Sequence, residues 1–256
     1  MQISPASNSQ VKLWKKLQRT KYRKKEGLFI AEGERCVEQI IEGGYLDVES
    51  VIVEEGYDPA SDLIRGDYET VSVTADDFQA ISDTETPQGV LAVCRIPDQA
   101  DPGDLQSKPG LLVALDAVQD PGNVGTIIRT SSWFGAAGIL FGEGTADPFH
   151  PKVVRSTAGA TGTLPYMKGD QGQLLNDFEN SGWHVYLMDG SEEAVNLEDI
   201  TPAEKSILLI GNEGNGIADH LFTPNRQTVR IPGNHQAVES LNAAIALGIG
   251  LYEFGR

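Results

Sequence analysis

The chain has 256 residues, 40% hydrophobic and 22% charged, with a formal net charge of −17, the proportions of a soluble globular protein of one large domain or two ordinary ones. Its longest nearly uncharged apolar stretch, LNAAIALGIGLY, is too short to cross a bilayer, and the first ten residues lack the charged-then-apolar order of a signal peptide, so no membrane association and a cytoplasmic location are expected. Two cysteines without a C-x-x-C pattern and four histidines without ligand spacing exclude a disulfide scaffold and give no reason to expect a metal.

The charge is unevenly placed. Lys12, Lys15, Lys16, Arg19, Lys21, Arg23, Lys24 and Lys25 lie within the first 25 residues, which hold no acidic residue, so this segment is +8 and the other 231 residues carry −25. A basic arm on an acidic body is the footprint of a protein that meets phosphates in one place, and these eight residues are the candidate nucleic-acid contacts; a merely solvated helix face is the competing reading. From Ser9 to Lys25 the apolar residues Val11, Leu13, Trp14 and Leu17 fall mostly on one helical face. LFIAE then reads as a strand and GERCVEQIIEGG as a helix stopped by two glycines. VESVIVEE (strand), a short helix near Ala60 to Ile64, TVSVT (strand), ADDFQAIS (helix) and GVLAVCRI (strand) complete an α/β domain over residues 1–96.

Residues 97–109, rich in proline and glycine, break the rhythm and read as a linker. Alternation restarts in a second domain, 110–256: LLVALDA (strand), GNVGTIIRTSSWFG (helix), AGILFGEG (strand), PKVVRSTAGA and QLLNDFENSG (helices), WHVYLMD, SILLI and QTVRI (strands), and a terminal helix, SLNAAIALGIGLYEF. Continuous apolar strands separated by helices predict a mostly parallel sheet covered on both faces, whose ligands bind at the carboxyl ends of strands. Three polar, glycine-containing segments fall there: DAVQDPGNVGTIIRT, GNEGNG and IPGNHQAVESLN.

GNEGNG follows SILLI as a phosphate loop would follow a strand. Its spacing, G-x-x-G-x-G, differs from the dinucleotide fingerprint, no Lys-Ser/Thr follows, and Glu213 is a poor neighbour for a pyrophosphate. A glycine turn closing a buried strand is the plain alternative. Asn123, Ser240 and Asn242 each stand at a helix start, where they also read as caps, and Arg129 also reads as a surface cation.

Taken in order, N-x-G-x-x-x-R-T, G-N-E-G-x-G after a strand, and I-P followed by S-L-N opening the last helix resemble the SpoU (TrmH) family of RNA 2′-O-ribose methyltransferases. The resemblance covers about residues 110 to 256; FIAEGERCVEQII and TPQGVLAV make the first domain similar to the family's ribosomal-protein-like substrate-binding module. It implies S-adenosylmethionine as methyl donor, ribosomal or transfer RNA as substrate with ribosomal RNA favoured, a homodimer, and a C-terminal region tied in a trefoil knot. It further implies that backbone at Gly211, Ile231 and Leu241 lines the cofactor pocket and that Asn123, Arg129, Glu213, Ser240 and Asn242 form the catalytic cluster. On this reading the glycines of GNEGNG let backbone approach the cofactor while Glu213 orders its polar neighbours. The loop from Ile231 to Ser240 is one residue longer than the family's usual pattern, which leaves the contacts of residues 233–239 open.

Methyl transfer to a ribose hydroxyl is an in-line displacement that needs close alignment and an outlet for the hydroxyl proton. The resemblance implies Arg129 as proton acceptor, assisted by a substrate phosphate. Deprotonating a guanidinium at pH 7 costs about 7.5 kcal/mol, so Arg129 is read first as positioning the hydroxyl and phosphate and second as base. A catalytically inactive RNA-binding protein and a nucleotide-dependent oxidoreductase are the rival readings.

Overall fold

In the computed structural model, residues 3–57, 66–234, 238 and 240–255 are described. The helix expected near residues 60–64 lies outside them. The chain divides into two compact units, one made of residues 1–98 with 147–163, the other of 99–146 with 164–256.

The first unit opens with β1 (Ser4–Pro5), α1 (Asn8–Lys16) and α2 (Thr20–Glu26), then β2 (Leu28–Glu32), α3 (Glu34–Gly43), β3 (Val48–Glu54), β4 (Glu69–Val73), α4 (Ala75–Ile81) and β5 (Val90–Arg95). Its sheet runs β1-β4-β3-β5-β2, with β5 antiparallel to both neighbours and β4 parallel to both of its own. The apolar stripe of the arm explains where α1 goes: Val11, Trp14 and Leu17 join Ile30, Ile52, Phe78 and Leu91 in one core.

The arm is two helices, not one. Ser7 caps α1 through a reciprocal pair with Gln10, and Gly27, with φ of 67°, ends α2 in the left-handed conformation that glycine tolerates. Between them the chain turns around Arg23. Its guanidinium is fully buried, donating to the carbonyls of Leu17 (2.9 Å) and Gln18 (3.0 Å), to Thr20 Oγ1 and to the Asp147 carboxylate. This corrects one expectation. Arg23 counts toward the basic arm in the sequence, but its charge is consumed inside the unit and does not reach a phosphate.

The second unit contains α5 (Pro102–Ser107), β6 (Gly110–Leu115), α6 (Pro121–Trp133) and β7 (Gly138–Gly142). After α7 (Pro151–Ser156), which belongs to the first unit, come β8 (Tyr166–Gly169), α8 (Gln171–Glu179), β9 (His184–Met188), β10 (Val195–Asn196), β11 (Lys205–Ile210), β12 (Gln227–Arg230) and α9 (Ala243–Phe254). The sheet order is β10-β12-β9-β11-β6-β7-β8, and every pairing is parallel. Central strands β6, β7 and β11 are buried along nearly their whole length, as their continuous apolar runs require. Residues 97–109, expected as a linker, hold α5, whose Leu105 packs into this unit's core beside Leu112 and Trp183. The short strands β8 and β10 carry no apolar run that would announce them.

Candidate functional site

Two adjacent central strands, β6 and β11, end side by side, and the loops that leave them build the site. Ile210 pairs with Leu115 as the last register of that ladder. From β6 the chain passes through Asp116 and Ala117 to α6. Ala117 has φ of 52°, a conformation that costs a side-chain-bearing residue energy. Its carbonyl accepts from Asn212 Nδ2 at 2.8 Å, and Asp116 accepts from the Ala218 N–H at 2.8 Å. These two bonds staple the GNEGNG loop to the β6 exit.

Within that loop Asn212 and Gly216 exchange backbone hydrogen bonds at 2.9 and 3.0 Å, while Asn212 Oδ1 accepts from the N–H groups of Gly214 and Asn215. A Cβ on Gly211 would stand 2.4 Å from the Gly216 carbonyl. Glycine at 211 is therefore demanded by the loop closing on itself, before any ligand is considered.

Asp120 caps α6, accepting from the Asn123 N–H at 2.8 Å, with Pro121 at the first helical position. This decides between the two readings of Asn123: the cap is its neighbour, and the Asn123 side chain is left for other work. Asn123 Nδ2 donates to Glu213 Oε1 at 2.9 Å, and Asn123 Oδ1 accepts from Asn242 Nδ2 at 2.9 Å. Asn242 is itself the cap of α9, its Oδ1 accepting from Ala244 and Ile245 N–H. A single polarised chain thus runs from the amide end of α9 through two carboxamides to the Glu213 carboxylate, and it leaves neither amide a choice of orientation.

Glu213 also accepts from the N–H groups of Gln119 (3.2 Å) and Asp120 (3.3 Å). Partial burial alone would raise its pKa. The hydrogen bonds from Asn123 and from the backbone outweigh that and hold it below its ordinary value, so the carboxylate is ionised.

Beside this chain lies a cavity of about 630 Å³, walled by the ends of β9, β11 and β12 and the start of α9. Gly211, Ile231 and Leu241 are on its wall, as are Glu213, Ser240 and Asn242. Ser240 makes no hydrogen bond among the described residues, and caps nothing. Arg129 is exposed on α6, joins no hydrogen bond or ion pair among the described residues, and does not line the cavity. Residues 235–237 and 239, within the lengthened loop, lie outside the described residues. Among the described residues no group of three His, Cys, Asp or Glu could hold a metal ion, and no helix is long and apolar enough to cross a membrane.

Sequence reasoning missed Asp116, Ala117, Asp120 and Asn212, which position the cluster. Only Asp120 carried a local signal, an acid directly before a proline that opens a helix.

In the arm, Lys12, Lys16, Arg19, Lys21, Lys24 and Lys25 are exposed, Arg19 at the cap position of α2. Lys15 pairs with Asp77 at 2.8 Å and Lys25 with Glu26 at 3.0 Å, and the Glu26 hydrogen bond raises the Lys25 pKa. Among the described residues, five cations of the arm are left without a carboxylate partner: Lys12, Lys16, Arg19, Lys21 and Lys24.

Comparison with known proteins places this geometry. Residues 110–252 match the model of the SpoU rRNA methylase family, and residues 8–92 match the MRM3-like substrate binding domain. The 23S rRNA (guanosine(2553)-2′-O)-methyltransferase RlmP of Bacillus subtilis (strain 168) is 35% identical over 254 residues, covering 98% of both chains. Among solved structures, a putative RNA methyltransferase of the TrmH family from Porphyromonas gingivalis superposes with a TM-score of 0.83 at 32% identity over 98% of each chain. An AdoMet-bound rRNA methyltransferase from Sinorhizobium meliloti superposes at 0.84 with 28% identity, over 98% of this chain and 96% of that one.

Proposed function

The chain belongs to the SpoU rRNA methylase family, and from that premise we propose that it transfers a methyl group from S-adenosylmethionine to a ribose 2′-hydroxyl of ribosomal RNA. The observation that carries this is the polarised chain Glu213–Asn123–Asn242 at one end of the cavity. The relatives support the donor and the acceptor: one is named for 2′-O-methylation of 23S rRNA, another was crystallised with AdoMet.

The cavity suits the cofactor. Its volume of about 630 Å³ falls within the range of small-molecule sites, and its wall combines glycine backbone and apolar side chains with the polar groups of Asp189, Asn212, Glu213, Arg230, Ser240 and Asn242. Gly211, Ile231 and Leu241 would hold the cofactor by their backbone. When bound, S-adenosylmethionine supplies an electrophilic methyl group on a sulfonium.

The remaining work belongs to this chain. Asn123 and Asn242, locked by their shared hydrogen bond, present fixed dipoles to the acceptor ribose, and the Ser240 hydroxyl, without a hydrogen bond among the described residues, is on the cavity wall with Asn242. Glu213 has both oxygens occupied by N–H donors and a lowered pKa, so it anchors the cluster and does not take the proton. Arg129, exposed and without a carboxylate partner among the described residues, is assigned to the RNA side, where its planar fork positions the phosphate and hydroxyl; acting as base is its second role. The arm, through Lys12, Lys16, Arg19, Lys21 and Lys24, grips the RNA backbone. Residues 1–96 serve as the RNA-binding domain and 110–256, apart from residues 147–163 that fold with the first unit, as the methyltransferase domain, working in the cytoplasm. The family's trefoil knot is part of the same proposal.

A homodimer completes the reading. Arg129 shares α6 with Trp133, which is 84% exposed, and Phe134 follows at its end, while Ile245, Ile249 and Tyr252 are exposed on α9. Apolar groups of this size seek a partner surface. Trp133→Glu combined with Ile249→Glu should convert a dimer to a monomer in sedimentation velocity; a wild-type monomer at micromolar concentration would remove this part. No observation favours an inactive RNA-binding role or an oxidoreductase. The activity is tested by incubating purified protein with S-adenosylmethionine and unmodified ribosomal RNA and mapping 2′-O-methyl groups by mass spectrometry. Absence of any new 2′-O-methyl group, together with calorimetric binding of NAD in place of S-adenosylmethionine, would refute it.

A further inference from the structure

The cavity wall carries an ionisable group that the catalytic cluster does not use. Asp189 stands immediately after β9, its N–H donating to the Val229 carbonyl at 2.9 Å. Its half-buried side chain lines the cavity and makes no hydrogen bond or ion pair among the described residues. The cation on the same wall, Arg230, forms no ion pair with it among the described residues. Arg230 follows Val229, the register partner of Met188, yet its Nε is turned to Asn196 Oδ1 at 2.9 Å. Next to Asp189 the wall is open: a Cβ built on Gly190 would meet no atom within 4 Å.

An unpaired carboxylate facing a ligand cavity needs donors from the ligand. A carboxylate has two acceptor oxygens and no proton to give, so it does not serve the ring nitrogens of adenine that accept. Two hydroxyls on adjacent carbons match it. An acid placed beyond the carboxyl end of a strand in an open parallel sheet takes a ribose in the same way. The place of Asp189 in the sheet agrees with this. In the strand order β9 lies on the far side of β11 from β6, so Asp189 is separated from the Asn123 end, where methyl transfer is placed.

Resting on the reading of this cavity as the S-adenosylmethionine site, we propose that Asp189 accepts the 2′- and 3′-hydroxyls of the cofactor's ribose and makes the pocket selective for a ribonucleoside. The test is calorimetry on full-length wild type, Asp189→Ala and Asp189→Asn. The ligands are S-adenosylhomocysteine, 5′-methylthioadenosine, which lacks the amino-acid ammonium, and its 2′-deoxy analogue. Asp189→Ala should weaken the first two alike, by roughly ten- to a hundredfold, the loss typical of a hydrogen bond to a charged group. Asp189→Asn, which keeps one acceptor and adds no cavity, should lose less. Removing the 2′-hydroxyl should weaken binding to wild type and make no difference to Asp189→Ala.

Three results would overturn the assignment. Loss confined to S-adenosylhomocysteine would mean that the carboxylate reads the ammonium. Unchanged affinities in both variants would mean that it reads nothing. Failure of wild type to bind any of the adenosine ligands would remove the cofactor reading itself, and the assignment with it.

Discussion

Replacing Lys12, Lys16, Lys21 and Lys24 by glutamine tests how the arm works. These four are exposed and have no carboxylate partner among the described residues, whereas Lys15 and Lys25 are already paired with Asp77 and Glu26. If each neutralises one phosphate, each adds about −0.7 on a single strand, or about −0.9 on a duplex, to the slope of log K against log salt. Losing all four should flatten that slope by roughly three units, with affinity falling alike for target and non-target RNA. Filter binding from low to moderate salt measures it. Arg23→Gln supplies the internal control, because its guanidinium is buried; the slope should not move although a basic residue has been removed from the same segment. An unchanged slope in the four-fold variant would show that the arm is only a solvated pair of helices. A slope flattened by Arg23→Gln in a fully folded protein would refute the distinction between buried and exposed cations.

Arg23→Gln should instead destabilise the protein by about 3 kcal/mol, since it strands Asp147 and the carbonyls of Leu17 and Gln18; urea unfolding reads it, and breaking a buried pair from one side is known to cost this much. Arg129→Ala should reduce methylation by roughly a hundred- to a thousandfold while leaving S-adenosylmethionine affinity unchanged, the scale of losing one aligned charge-stabilising donor. Arg129→Lys keeps the charge and loses the fork, so single-turnover activity close to wild type would mean that a point charge suffices. Glu213 has a folded pKa below its ordinary 4.5, held down by hydrogen bonds against the opposing effect of burial. Its contribution to stability is therefore complete above that ordinary value and is lost as pH falls through the lowered one. Glu213→Gln should lose that acid-dependent component, and denaturant midpoints followed from pH 7 to pH 3 for both proteins would show it.

Much of the fold was legible because it rests on local periodicity. Uninterrupted apolar runs such as LLVAL and SILLI can only be central strands of a sheet covered on both faces, and parallel pairing follows from the helices between them. The strand ends marked where a ligand would bind, but it was the family resemblance that singled out the residues, of which Asn123, Glu213 and Asn242 do meet, through bonds spanning 90 and 119 residues. What local pattern does not carry is the choice among partners. Asn123, Ser240 and Asn242 are equally good caps on paper. Only packing shows that Asp120 caps α6, that Asn242 both caps α9 and holds Asn123, and that Ser240 does not cap α9. The same holds for charge. Composition counts Arg23 with its seven neighbours, and only the fold brings Asp147, 124 residues away, to bury it. Hydrophobic period is a property of neighbouring residues and survives in a string of letters. A hydrogen bond belongs to whichever donor and acceptor the finished chain leaves facing each other once water is excluded, and that is settled at sequence separations that no local window reaches.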